Sequence, residues 1–411
     1  MIKTIKDFKK KQGAYVLTSS MLVKISSFVI SLLLIRILST EEFGWFSYAL
    51  SSLSFFIPFT GGGLQHSYLR FAPSISSDAK KSFLFNYSLR WGALCCILLV
   101  AIVWLAIPWI TDEMEGASVY LQWLSFFIIS FFFIDMVKVQ YRVEGRNRSF
   151  AAIDVWSSLS LLFIGIAVAY IWSAKAYVIA YVLIPLLISI IYLRKIKLGE
   201  SFSIPEKYWS YGLWVGLGAI ASQLMYSLDV FLVGKLIQDP IQIAIYRSAS
   251  IIPMALFFIP NAFMVTHYTE LAEKSTDLKF LKNFAADYSK LFLFIAVSMV
   301  VFLIMISDIL IPFLFGEAYI EAVFLFQILL IGLVGAFILR IPYGNLLAAV
   351  GHSDWNAWIA IGMLLLNVLL NYFAILKWGI VGAAYVTSGL LWLSGLVSFL
   401  FFRKYLRGLS A

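Results

Sequence analysis

Residues 14–38 read AYVLTSSMLVKISSFVISLLLIRIL, an apolar run broken at its centre by Lys24 and closed by Arg36. A hydrocarbon core of about 30 Å is crossed by roughly 20 apolar residues at about 1.5 Å rise each, so this run is long enough to span. Runs of that length recur as far as Phe402. Of the 411 residues, 62% are hydrophobic and only 13% charged, against roughly 25% charged in a soluble domain. The chain reads as an all-α membrane protein. The lysines before the first run (Lys3, Lys6, Lys9, Lys10, Lys11) resemble the basic end of a secretory signal. The run itself exceeds a signal's apolar core and ends without a small-residue cleavage site, so it is expected to remain as the first helix.

Apolar runs and loop breaks predict about twelve spans, near 14–38, 43–68, 83–110, 117–140, 149–172, 175–194, 208–233, 241–268, 284–307, 319–345, 353–377 and 379–402. With the N-terminus cytoplasmic, the inner segments collect twenty-two Lys and Arg, whereas the outer loops hold only Arg36, Lys175, Lys235 and Lys377. Lys and Arg in short loops resist translocation, so both termini are expected in the cytoplasm. The net charge of +9 has the same origin and carries no nucleic-acid footprint, which needs basic residues clustered on one folded face.

Self-similarity appears at an offset of about 200 residues. Ile107-Pro108-Trp109 matches Ile311-Pro312-Phe313, Gly145-Arg146-Asn147-Arg148 matches Gly351-His352-Ser353-Asp354, and the outer loop 36–46 matches 235–246. Six spans per repeat give both halves the same orientation, a parallel repeat. The expected architecture is therefore two six-helix lobes, residues 1–200 and 201–411, able to rock about a central cavity.

An ionisable side chain near the bilayer centre costs at least about 2.5–3.5 kcal/mol on insertion scales and normally has a role. Eight such residues stand out: Lys24, Arg90, Asp135, Asp154, Asp229, Arg247, Lys290 and Arg340. Lys24 is deepest. Lys24, Arg90 and Arg247 are candidates to line a basic cavity, since ammonium and guanidinium groups suit phosphate or carboxylate. Asp229 and Arg247 approach the outer ends of neighbouring spans, so Asp229 is expected either to pair with Arg247 or to serve a coupling ion. Gln223, Asn367 and Asn371 place amides at membrane depth that can bond a sugar or a neighbouring helix. Pro58 with Gly61-Gly62-Gly63 predicts a break in the second span.

Several chemistries find no support. The sequence has no GxxxxGK[ST] loop, its three histidines at 66, 267 and 352 are scattered, and Cys95-Cys96 gives neither a disulfide framework nor a metal spacing. No cofactor, no metal and no catalytic residue is expected. A glycan polymerase or ligase usually needs a folded outer loop, which this sequence lacks, so the chain is read as a carrier rather than an enzyme. A membrane scaffold would have no reason to hold Lys24 at mid-depth.

Beyond these features, Leu38-Ser39-Thr40-Glu41-Glu42-Phe43-Gly44 resembles the loop after the first span of bacterial O-antigen and polysaccharide flippases. So do Tyr211-Gly212, Asp229 ahead of Leu232-Val233-Gly234-Lys235, Ile245-Tyr246 with Ala249, Leu314-Phe315-Gly316 with Tyr319 and Ala322, and Leu347-Ala348-Ala349 before Gly351. These segments cover nearly the whole chain, and it is their order and spacing that carry the likeness. Asp239-Pro240 and Arg247 depart from the family pattern. That family shares a superfamily with the multidrug-and-toxin-extrusion carriers. The resemblance implies two six-helix lobes, a cationic lumen, and flipping of an undecaprenyl-diphosphate-linked oligosaccharide across the inner membrane by alternating access. A glycan polymerase and a chain-length regulator are the implied protein partners. The competing reading is an ion-coupled multidrug or metabolite antiporter of the same fold, which would need acids rather than bases deep in the cavity.

Overall fold

The computed structural model describes residues 13–112, 114–193 and 203–409. Among these, every regular element is helical. In chain order they are α1 (Gly13–Ile37), α2 (Thr40–Ser54), a 3-10 stretch Ile57–Gly63, α3 (Leu64–Phe71), α4 (Asp78–Thr111), α5 (Glu115–Ser125), α6 (Phe127–Val143), α7 (Asn147–Ser160), a π turn Leu161–Gly165, α8 (Ile166–Ile171) and α9 (Ala174–Leu193). Then follow α10 (Tyr208–Ile237), α11 (Pro240–Leu256), α12 (Phe258–Glu273), α13 (Leu278–Phe315), α14 (Ala322–Gly335), a π turn Ala336–Arg340, α15 (Ile341–Ala349) and α16 (Ser353–Gly408).

Nine helical stretches among the described residues are long and apolar enough to cross a membrane. Three more crossings complete twelve. The second span, 40–71, is broken at its middle. The 30-residue α10 is about 45 Å long at helical rise. The 56 residues of α16 would extend about 84 Å as one helix, far beyond a bilayer, and the chain folds back at Gly379 (φ 58°, ψ −144°). A Cβ on Gly382 would stand 2.2 Å from the Ala374 carbonyl oxygen, which shows how tightly the two arms of α16 turn.

The chain divides into two compact units, Met1–Ser227 and Leu228–Ala411. The repeat seen in the sequence recurs in local structure. α4 and α13 each carry a proline near the C-terminal end, Pro108 and Pro312. Gly145 and Gly351 both have positive φ. The second span of each unit begins on a side-chain cap. Ser39 accepts from the Glu42 N–H in a full capping box, and Asp239 accepts from the Ile241 N–H with Pro240 in the first turn, satisfying otherwise orphaned donors.

In the first unit, Thr60 is extended (ψ 135°) and Gly61, Gly62 and Gly63 are left-handed, with φ of 59°, 59° and 74°. Only glycine adopts such a run without strain. The break also brings backbone against backbone: a Cβ on Gly63 would lie 2.1 Å from the Gly212 carbonyl oxygen, and one on Gly216 would lie 2.7 Å from that of Pro58. Ser67 Oγ donates to the Tyr208 carbonyl at 2.5 Å and Ser54 Oγ to Ser227 Oγ at 2.5 Å, so small residues seam the broken span to the first two thirds of α10. In the second unit, glycines let α14 close on the second arm of α16. A Cβ on Gly332 would meet Ser388 Cα at 2.6 Å, while Ser388 Oγ and Trp392 Nε1 donate to the Ile328 and Ile331 carbonyls. Membrane helices associate in this way, through small residues and interhelical hydrogen bonds.

Candidate functional site

Asp229 lies in the last third of α10 and is 5% exposed. Its carboxylate is surrounded by neutral donors from three directions. Asn367 Nδ2 and Asn371 Nδ2, one turn apart on the first arm of α16, each donate to Oδ1 at 3.0 Å. Thr387 Oγ1, from the second arm, donates to Oδ2 at 2.6 Å. The Tyr246 hydroxyl, from α11, donates to Oδ2 at 3.3 Å and stands 3.1 Å from Thr387 Oγ1. The fold-back at Gly379 is what puts both arms of α16 against the same carboxylate. An isolated buried carboxylate is prohibitively costly, and hydrogen bonds to a charged acceptor offset about 1.5–3 kcal/mol each.

One atom of the cluster is left over. Among the described residues Asn371 Oδ1 is buried without a hydrogen-bond partner, although its Nδ2 also reaches Asn367 Oδ1 at 3.0 Å. The cluster thus contains the oxygens of one carboxylate, two amides and two hydroxyls, the ligand type of a small hard cation. Asp229 is the one acid among these bonded groups, so a single negative charge is on offer. That suits one proton or one monovalent cation.

Arg247 follows Tyr246 directly. The expected ion pair between Asp229 and Arg247 is not formed. Successive residues of a helix point about 100° apart, and with Tyr246 turned onto the carboxylate, Arg247 faces elsewhere. Its side chain is half-buried, and no hydrogen bond or ion pair to the guanidinium is found among the described residues. The remaining contact, Ser250 Oγ to the Arg247 carbonyl, uses backbone only. Of the two uses open to Asn367 and Asn371, bonding a sugar or a neighbouring helix, the structure shows the second. Both are buried and spend their amides on Asp229, so they belong to the carboxylate's support rather than to an open sugar-binding surface.

The family of polysaccharide biosynthesis proteins matches residues 33–324. The chain belongs to this family. A putative O-antigen transporter of Shigella flexneri is 26% identical over 254 residues, covering 59% of this chain and 60% of the relative; the match thus spans well under two thirds of that protein's length. Among solved structures, the lipid II flippase MurJ in an inward closed conformation superposes with a TM-score of 0.76 at 16% identity, over 97% of this chain and 90% of that one. An inward-facing multidrug resistance transporter of the MATE family gives 0.74 at 14% identity, over 94% and 95%. At such identities the likeness establishes the fold: a multi-pass helical membrane protein of the MurJ and MATE type.

Within this polysaccharide-biosynthesis family member the other charges fall into distinct settings. Lys24 is exposed on α1 in a stripe with Ser20 and Ser27, while Ser19, Ser26, Ile30 and Leu34 on other sides of the helix are buried. Arg90 is exposed on the side of α4 that also shows Trp91, Leu94 and Leu98, an apolar face on which a long cation reaches for the surface. The side chain of Gln223 lies outside the described residues. Asp154 pairs with Lys138 at 2.8 Å, Arg340 bonds Ser398 at 3.3 Å, and Lys290 is exposed. Tyr246 and Thr387 were not among the site residues expected from the sequence. A hydroxyl in an apolar span is too common a feature to single out.

Proposed function

We propose that this protein is a flippase of the bacterial inner membrane, with both termini cytoplasmic. It carries an undecaprenyl-diphosphate-linked oligosaccharide, an O-antigen or capsule repeat unit, from the cytoplasmic to the periplasmic leaflet by alternating access. Arg247 is the observation that carries this reading: a half-buried guanidinium in a membrane helix for which no ion pair is found among the described residues. Such a group is costly unless an anion comes to it, and a diphosphate offers the paired oxygens that guanidinium recognises best. Lys24, in the serine stripe of α1, is a further cation of the kind that attracts an anion. The family match and the resemblance to a putative O-antigen transporter support a glycan-linked cargo.

Asp229 supplies coupling. One proton or small monovalent cation neutralises the buried carboxylate, and its entry and exit tie the cycle to a gradient. A glycan polymerase and a chain-length regulator are the proteins expected to act on the product outside.

The test is a deletion strain of the source bacterium, assayed for surface glycan and for lipid-linked oligosaccharide retained inside. Lost display with a complete lipid-linked unit accumulating, restored by the wild-type gene and not by R247A, supports the reading. The buried acid at Asp229 and the MATE-like fold favour one alternative, a cation antiporter; normal display with altered resistance to cationic compounds would establish that instead.

A further inference from the structure

We infer that Tyr246 is a positioning residue that transmits the charge state of Asp229 to Arg247. The inference rests on the coupling and anion-binding roles proposed above for those two residues. Among the described residues, Tyr246 is the one side chain of α11 bonded to the carboxylate. Its hydroxyl forms a small ring with Asp229 Oδ2 at 3.3 Å and Thr387 Oγ1 at 3.1 Å, and Thr387 itself holds Oδ2 at 2.6 Å. Hydroxyl hydrogen bonds cluster near 2.7–2.8 Å, so Tyr246 is the loosest of the four donors and the first to let go. Asn367, Asn371 and Thr387 are uncharged, and among the described residues no charged side chain is bonded to Asp229.

With Asp229 ionised, the hydroxyl donates to a charged acceptor, roughly twice as strong a bond as one between neutral groups. When one proton or one monovalent cation arrives, Oδ2 is no longer a free charged acceptor, and the hydroxyl is left with Thr387 alone. The attachment of α11 to α10 then weakens at this point. Arg247 is the next residue and, among the described residues, its guanidinium has no hydrogen bond or ion pair, so it moves with whatever Tyr246 does. Further on, Pro253 lies inside α11 and removes the hydrogen bond to the Ala249 carbonyl, so the turn that carries residues 246 and 247 borders a point where the helix can bend. No covalent change is involved, and the ion that enters is the ion that leaves. By linkage, an anion on Arg247 must alter the affinity of Asp229 for its cation by the same factor.

The experiment reads the position of residue 247 without any substrate. Cys95 and Cys96 are replaced by alanine, R247C is introduced in the full chain in native membranes, and its labelling by a charged methanethiosulfonate reagent is timed while pH and sodium are varied separately. The expected result is a change in labelling rate of about fivefold or more, the low end of a typical coupling, with either proton or sodium. D229N should hold the rate at one extreme. Y246F, which keeps the ring and loses only the hydroxyl, should abolish the dependence. A labelling rate in R247C that ignores both ions, or a dependence that survives Y246F, would overturn the inference. Because no glycan enters this assay, failure here is separate from failure of the flippase reading, which surface display decides.

Discussion

The two units carry their departures from a plain apolar bundle in different places. In the first, the backbone is irregular: the second span stops at Pro58, runs through three left-handed glycines and resumes as α3. In the second, the corresponding span, 240–268, remains long enough and apolar enough to count as one crossing, and the departure is chemical, a carboxylate buried among four donors. The contrast is sharpest at matching positions. Tyr246 in the second unit bonds Asp229; about 200 residues earlier in the repeat, Phe46 packs edge-on against Tyr177, with ring centres 5.7 Å apart. A duplicated frame thus permits matching segments of the two halves to diverge, one toward an irregular backbone and the other toward a hydrogen bond with a buried charge.

The largest expected effect comes from removing the chemistry of the second unit. Asp229→Ala leaves buried amide and hydroxyl donors facing an empty space, at about 1–3 kcal/mol for each unsatisfied group, and should abolish surface glycan display; normal display in this variant would remove Asp229 from the mechanism. Next is the backbone of the first unit. Gly63→Ala adds a Cβ at 2.1 Å from the Gly212 carbonyl oxygen on a residue at φ 74°, and should cost about 3 kcal/mol or more, read as a lower melting temperature of purified protein. Gly145→Ala, with positive φ but open space around it, should cost only about 1–2 kcal/mol and serves as the control that separates the clash from the conformation.

Arg247→Ala comes third. Losing a charge-assisted contact worth about 1.5–3 kcal/mol should weaken binding of undecaprenyl diphosphate about 10- to 150-fold with insertion unchanged, and Arg247→Lys should recover part of it. The smallest effect should be Phe46→Tyr, which gives the first unit the residue of the second. Without a carboxylate beside it, the added hydroxyl should cost about 1–3 kcal/mol of stability and leave the pH dependence of transport as it was. A new pH dependence would mean that the first unit also holds an ionisable partner at that position.

Much of this was legible from residue order. Twelve crossings followed from run length, and the break in the second span followed from Pro58 and the glycine triplet. Asp229 and Arg247 stood out because charge is conspicuous in an apolar span. Their proposed pairing did not materialise, since nearness along two adjacent spans says nothing about which way each helix is rotated. Asn367 and Asn371 were noticed as amides at depth, yet their true partner is Asp229, far away in sequence, and Thr387 offered no signal at all.

The sequence by itself therefore determined that the chain spans a membrane, how many times, where its glycines relax the backbone and which charges are too expensive to be accidental, because run length, proline, glycine and charge act locally and need no knowledge of neighbours. Only the tertiary structure decided what those charges meet. Whether Asp229 faces a cation or four neutral donors depends on helix rotation and on the fold-back at Gly379, and both are set by packing summed over the whole bundle rather than by any stretch of residues read alone.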